Sequence, residues 1–290
     1  MIMYVINKIL NNNVVISVDE QKREIIVMGR GIAFGKKSGD NVEKQAIDKV
    51  FVLSNEDNVS EIASFLHQVD EHILDISKEL LMEAERQFDF AYTDKTYLTL
   101  IDHLNYAVLR KQKGITIPNP LLLDIKKFYP KEFALALQGL EWIEQRMSVH
   151  FNEDEAGFIA LHLVTNNLNT DNVQTTIRAT ELVRDILTII RRFFGLDFDE
   201  QSLSYTRMVT HIQYFVQRIL ADKTYQEEDV FLYELVQAKY PRAYQCSSRV
   251  KDYLQQKEGI VVENAEMIYL VIHINRVVDE TMKEQSERSQ

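Results

Sequence analysis

The sequence predicts a multidomain chain: a small antiparallel β domain over residues 1–59, followed by two all-α helical bundles over 60–172 and 173–290. Three observations carry this. Roughly the first 55 residues hold short β-branched runs separated by Asn, Asp and Gly clusters, the pattern of strands and turns. From about Ser60 onward, apolar residues recur at three- and four-residue spacing through long stretches free of proline, the pattern of helices. The second helical half then repeats the first.

In the β domain the runs are Tyr4-Val5-Ile6, Val14-Val15-Ile16-Ser17-Val18, Glu24-Ile25-Ile26-Val27-Met28 and Val50-Phe51-Val52-Leu53. So short a segment buries little surface alone, and small domains often complete their core by oligomerising, so a dimer is expected. In the helical part the four prolines (Pro118, Pro120, Pro130, Pro241) punctuate loops between periodic stretches, and Asn166 to Val173, rich in Asn and Asp, reads as the linker between the bundles.

The repeat is read by sliding the chain along itself. One shift superposes Tyr97 on Tyr205, His103 on His211, Tyr106 on Tyr214, Val108 on Val216 and Arg110 on Arg218. A shift three residues longer superposes Tyr129-Pro130-Lys131 on Tyr240-Pro241-Arg242, Glu155 on Glu266, Phe158 on Tyr269 and His162 on His273.

Bulk properties narrow the function classes. A length of 290 residues suits two or three domains, and 46% apolar with 27% charged residues is ordinary globular composition. The single cysteine, Cys246, excludes an intramolecular disulfide and fits the cytosol. No run approaches ~18 apolar residues, and Asn7, Lys8 and Asn11 to Asn13 interrupt the start, so neither a membrane span nor an export signal is expected. The net charge of −11 argues against a nucleic-acid ligand, but it is unevenly spread. Residues 1–60 carry equal numbers of acidic and basic side chains, so the whole surplus lies beyond them.

Four of the seven histidines occupy matched places in the two copies, which sets them apart from isolated structural histidines. At 100° per residue, His103 and His211 fall beside the stripes Ile101, Leu104, Val108 and Val209, Ile212, Val216, where a ring packs while a nitrogen stays reachable. His162 and His273 lie in runs that are apolar around the whole helix, which implies burial in a core or an interface and an imidazole that resists charging. A metal site is disfavoured because neither copy holds a close ligand pair such as HxxxH. Nucleophilic catalysis is disfavoured because Asp102-His103 has no counterpart acid at Thr210-His211 and no shared second catalytic group is visible. Accepting a phosphoryl group from a partner's phosphohistidine needs only a neutral imidazole nitrogen, and the added charge of about −2 can break or remake an interface.

In the β domain, Met28-Gly29-Arg30-Gly31-Ile32-Ala33-Phe34 leads into Gly35-Lys36-Lys37-Ser38-Gly39-Asp40. Glycines flanking an arginine permit tight turns and close backbone approach, and an arginine with an exposed aromatic can bond and stack on bases. On physics alone, a hairpin turn with a solvated basic edge stands first. Together with Lys8-Ile9-Leu10-Asn11-Asn12-Asn13, Leu100-Ile101-Asp102-His103 and Asp154-Glu155-Ala156-Gly157-Phe158-Ile159-Ala160-Leu161-His162, however, the segment closely resembles the BglG/SacY/LicT family of bacterial antiterminators over essentially the whole length.

The resemblance implies a co-antiterminator (CAT) RNA-binding domain, a small β dimer, then two phosphotransferase-system regulation domains (PRD). It implies binding to a leader-mRNA hairpin that overlaps a terminator upstream of sugar-utilisation genes, with no catalysis, cofactor or metal. Carried over by position, the RNA contacts fall on Asn13, Gly29, Arg30 and Phe34, with Lys8 as a further candidate. The phosphorylated histidines fall on His103 and His162 in the first regulation domain and on His211 and His273 in the second. The sugar-specific permease (enzyme II) is then the inactivating donor to the first domain and the phosphocarrier HPr the activating donor to the second. Gly29-Arg30-Gly31 leans toward the β-glucoside members. The competing reading is a regulation-domain protein acting on another nucleic-acid or protein target. For a DNA-binding activator it requires a helix-turn-helix, and the strand-like N-terminus offers none.

Overall fold

Strand pairing starts from the Asn11-Asn12-Asn13 corner. A tight turn there joins β1 (Lys8–Asn11) to β2 (Val14–Val18), with an irregularity in register between Ile9 and Asn11. A second turn, in which the Asp19 carboxylate accepts the backbone N–H of Gln21 and of Arg23, leads into β3 (Glu24–Met28), and β4 (Lys49–Val52) follows. The sheet is an antiparallel meander in the order β1-β2-β3-β4. The computed structural model describes residues 4–52, 56–88, 91–167, 173–221 and 230–288. The first strand differs from expectation: it lies at Lys8–Asn11, and Tyr4–Ile6 contributes only an isolated bridge, Val5 to Asn41. A tight turn leaves no room for a gap, so the strand must begin right beside it. Leu53 lies outside the described residues.

The helices are α1 (Glu56–Gln68), α2 (Glu71–Phe88), α3 (Asp94–Gln112), α4 (Leu122–Phe128), α5 (Pro130–Met147), α6 (Glu153–Asn167), α7 (Val173–Phe194), α8 (Leu203–Leu220), α9 (Val230–Lys239), α10 (Pro241–Glu258) and α11 (Asn264–Arg288). Helix begins a turn earlier than the Ser60 expected from periodicity. Pro130 and Pro241 open α5 and α10, where a missing N–H costs nothing. Of the expected linker, Asn166 and Asn167 end α6 and Val173 opens α7, while 168–172 lie outside the described residues. Among the described residues, no helix is long and apolar enough to cross a membrane.

Two compact units divide the chain: one runs to Pro118 and resumes over Lys131–Leu163, the other takes Asn119–Pro130 and continues from Val164. In the first unit both faces of the sheet are buried. Alternation places Val15, Ile25 and Val27 on one face, where Ile6, Ile32, Ala33 and Val42 from the connecting loops complete a small core. The opposite face presents Val14, Ile16, Ile26, Met28 and Phe51. It is covered by the chain's own helices: α1 packs across β1, β2 and β3, and Phe51 stacks on Tyr97 of α3 at 5.9 Å. Within the same unit Gly139 lets α5 pass close to α2, since a Cβ there would meet the Leu80 side chain. In the second unit α7 and α11 pack against α8, α10 packs on α7 and α11, and α4 packs on α7.

Candidate RNA-binding loop and histidine sites

The loop from Gly29 to Phe34 is held by the Asn12-Asn13 turn. Gly29 donates its N–H to the Asn13 carbonyl (2.9 Å), Gly31 donates to Asn13 Oδ1 (2.7 Å) and Ala33 donates to the Asn12 carbonyl (3.0 Å). Gly29 is required by proximity, because a Cβ there would run into the Ala46 carbonyl oxygen, and Gly31 is required by its φ of +64°. So constrained, the loop turns Arg30 outward and leaves Phe34 77% exposed. Lys8 stands exposed at the start of β1.

Asn13 is placed differently from its neighbours. Its side chain is buried, with Oδ1 accepting from Gly31 and Nδ2 reaching Glu71 Oε2 of α2 at 3.5 Å, so it braces the loop from behind. Asp48 does similar work, accepting the Arg30 N–H at 3.2 Å while paired with Lys78 of α2 at 2.5 Å. No sequence pattern singled out Asp48, which lies far along the chain and meets the loop only through the β3–β4 connection.

The histidine sites are built from helix pairs. On α3, His103 and Arg110 are seven residues apart and so share a face after two turns; on α6, Glu155 and His162 do the same. Packing of the two helices brings all four together. The His103 and His162 rings lie 4.7 Å apart, Arg110 Nη2 bonds Glu155 Oε2, and His103 Nε2 sits 2.9 Å from Glu155 Oε1. That last contact lies off the line a ring N–H needs, so it is an electrostatic contact rather than a hydrogen bond. Burial, then the nearby His103, depress the His162 pKa to about 3, keeping the ring neutral at pH 7.

The second unit repeats the constellation on α8 and α11. His211 and His273 stack at 3.6 Å and 22°, and Arg218 grips Glu266 through two hydrogen bonds, Nε to Oε1 at 2.8 Å and Nη2 to Oε2 at 2.5 Å. These residues, with Tyr214 and Tyr269, line a cavity of about 230 Å³. Burial, His211 and Arg276 lower the His273 pKa to about 4, while burial and then Arg218 lower that of His211. Both rings are therefore nucleophilic, neutral imidazoles near pH 7. Among the described residues no cluster of three or more His, Cys, Asp or Glu could hold a metal ion.

The sequence showed no second catalytic group shared by both copies, and the Arg–Glu pairs emerge only in the fold. Both partners were visible as repeat matches, Arg110 with Arg218 and Glu155 with Glu266, but they come from distant helices and only the packing unites them.

Residues 4–60 match the family described as the CAT RNA binding domain, and residues 78–166 and again 184–277 match the PRD domain. The chain belongs to the BglG/SacY/LicT family of transcriptional antiterminators. It is 40% identical to the transcription antiterminator LicT of Bacillus subtilis (strain 168), over 94% of this chain and 98% of that protein. It is 36% identical to the beta-glucoside operon antiterminator of Dickeya chrysanthemi, over 97% and 99% respectively. The crystal structure of GlcT CAT-PRDI matches with a TM-score of 0.50 at 32% identity, covering 56% of this chain and 97% of that one. In this antiterminator the exposed loop thus falls within the RNA-binding domain. The two histidine constellations fall within the two regulation-domain matches, so one domain type accounts for the internal repeat.

Proposed function

We propose that this antiterminator binds a hairpin in the leader mRNA of a sugar-utilisation operon through the Gly29–Phe34 loop, and that phosphorylation of its histidines sets that activity. The observation that carries the RNA reading is the pairing of an outward arginine with a fully presented phenylalanine on a loop whose backbone is fixed from behind. A guanidinium and an aromatic face suit unpaired or mismatched bases in a stem, where RNA is open to such reading. Gly29 lets the backbone approach, Asn13 braces, and Lys8 supplies charge nearby. The name of the Dickeya relative and the Gly29-Arg30-Gly31 sequence both favour a β-glucoside operon.

The regulatory reading rests on the paired histidines, one pair in each repeat. A sugar-specific permease (enzyme II) phosphorylates His103 and His162 and inactivates the protein when inducer is absent; HPr phosphorylates His211 and His273 and activates it. The protein works as a cytoplasmic homodimer whose regulation domains meet through their histidine faces. Exposed apolar side chains flank those faces, namely Tyr106 and Leu109 near His103, and Tyr214, Tyr269 and Ile272 near His211 and His273. Such patches mark association surfaces, and phosphates brought together across a twofold axis would repel.

The test uses the full chain and a leader-RNA hairpin from the neighbouring operon. Arg30→Ala and Phe34→Ala are each expected to abolish specific binding while circular dichroism stays unchanged. Binding by wild type that survives both substitutions would place the RNA interface elsewhere.

A further inference from the structure

Buried polar atoms without partners are rare, and in native proteins they gather where function requires them. Among the described residues, eight buried side-chain nitrogen or oxygen atoms lack a hydrogen-bond partner, and four of them meet at the first histidine site: His103 Nε2, Arg110 Nε, Glu155 Oε1 and His162 Nδ1. Arg110 and Glu155 are only 7% and 3% exposed, so this is no accident of a solvated surface. The fold holds a buried guanidinium with an unused donor beside two imidazoles, arranged for a group that is not part of the chain.

We propose that the Arg110–Glu155 pair, and its repeat Arg218–Glu266, are the positioning groups of phosphoryl transfer at the two sites: the carboxylate orients and charge-balances the acceptor imidazole, and the guanidinium receives the phosphoryl oxygens. The inference rests on the phosphorylation reading above and assigns the residues that make it work.

The geometry supplies each role. With Nε2 of His103 set against Glu155 Oε1 at 2.9 Å, the proton of the neutral ring is favoured on Nε2 and the lone pair on Nδ1. That lone pair attacks the phosphorus of a phosphohistidine on the donor protein. The new Nδ1–P bond forms as the donor's N–P bond breaks, and the electron pair of the broken bond returns to the donor's own ring nitrogen. The donor ring changes from phosphorylated imidazolium to neutral imidazole, and the acceptor ring makes the opposite change, so no further reactant is needed. The positive charge that appears on the His103 ring is met by Glu155, and a small ring rotation would turn the off-axis contact into a hydrogen bond.

The arginine solves the companion problem. A carboxylate this close to the acceptor would repel an incoming dianion, and the Arg110 pairing offsets its charge while leaving Nε free to bond a phosphoryl oxygen. In the second unit the same residues recur in a different state. Glu266 is gripped by two N–H groups of Arg218, the histidines are stacked, and the cavity of about 230 Å³ beside them has room for a phosphoryl group. That both copies keep the seven-residue spacing of His to Arg and of Glu to His argues against an incidental salt bridge.

Two independent sites in one chain make the test self-controlled. Full-length wild type, Glu155→Gln, Glu266→Gln and Arg110→Lys are phosphorylated with the phosphorylated enzyme II (for the first domain), with phospho-HPr (for the second) and, separately, with the small donor phosphoramidate. Phosphohistidine is then quantified at each of the four positions by mass spectrometry across pH 5–9. Glu155→Gln is expected to slow phosphorylation of the first-domain histidines by about tenfold, one pKa unit of lost charge stabilisation. It is also expected to move the acid limb of their rate profile to lower pH while His211 and His273 keep the wild-type rate. Glu266→Gln should do the converse, and Arg110→Lys should slow only the first domain without moving the acid limb. A Glu155→Gln protein whose first domain reacts as wild type, or whose two domains slow equally, overturns the proposal. Wild type that takes no phosphoryl group on any of the four histidines would instead bring down the phosphorylation reading on which it rests.

Discussion

Single residues in the loop divide into those that hold and those that present. Gly29→Ala should destabilise the protein by about 1–3 kcal/mol, because a rigid backbone carbonyl, that of Ala46, stands where the methyl must go; urea unfolding measures this directly. Phe34→Ala removes a side chain that is 77% exposed and should shift stability by no more than about 0.5 kcal/mol, so its cost should appear in RNA binding alone. The buried histidines give a pH signature. His162 and His273 ionise in the folded chain only near 3 and 4, against about 6.5 when unfolded, so below pH 6.5 the unfolded chain binds protons that the folded one refuses. Stability conferred by these rings is complete above pH 6.5 and is lost as pH falls toward 3. His162→Gln should flatten the fall in urea midpoint between pH 7 and 5, and an unchanged slope would show that other groups cause it. The matched histidines were legible from repetition, and the need for close approach at Gly29 from its flanking sequence. That Asn13 faces inward was not, because its partner Glu71 comes from a helix whose docking the local sequence does not encode.

At the scale of elements, periodicity marked everything from about Ser60 as helical without dividing it into helices, and β-branched runs located β2, β3 and β4, while β1 was read too early. Lys8–Asn11 carries only two apolar residues, and its strand character comes from the turn that follows and the partner it pairs with. The α3–α6 pairing was likewise out of reach, since a helix's buried stripe says that it packs but not against what. Capping matters most where a helix carries the site. Thr93 caps α3 by accepting the Thr96 N–H at 3.1 Å, and Thr93→Ala should cost about 1 kcal/mol. Because α3 also carries His103 and Arg110, first-domain phosphorylation should become more variable in that variant while the second domain stays unchanged.

For the molecule as a whole, charge and continuity matter. The acidic surplus lies outside the RNA-binding segment, which is itself neutral, so bulk attraction offers little affinity and the proposed reading places specificity in loop contacts. The compact units also fail to follow the chain in simple order, since Asn119–Pro130 joins the unit that otherwise begins at Val164. Residues 173–290 made alone lack α4, whose Ile125 and Phe128 are buried in the intact chain. This fragment should unfold at lower urea than the same unit within the full protein, and a peptide of residues 119–130 should raise its midpoint. No response to the peptide would mean that α4 adds nothing to the packing of α7.

The place of α4 in that unit also imposes an order in time. The segment leaves the ribosome before α5 and α6, yet its packing partner α7 begins roughly 45 residues later, which at ~5–20 residues per second is a wait of about two to nine seconds. During synthesis, then, Ile125 and Phe128 stay uncovered while the helices on either side of them, α3 and α5, are free to fold. The nascent chain therefore passes through a stage at which it is finished locally and unfinished globally, with a short greasy helix as the exposed piece, and it is there that a chaperone would find its handle.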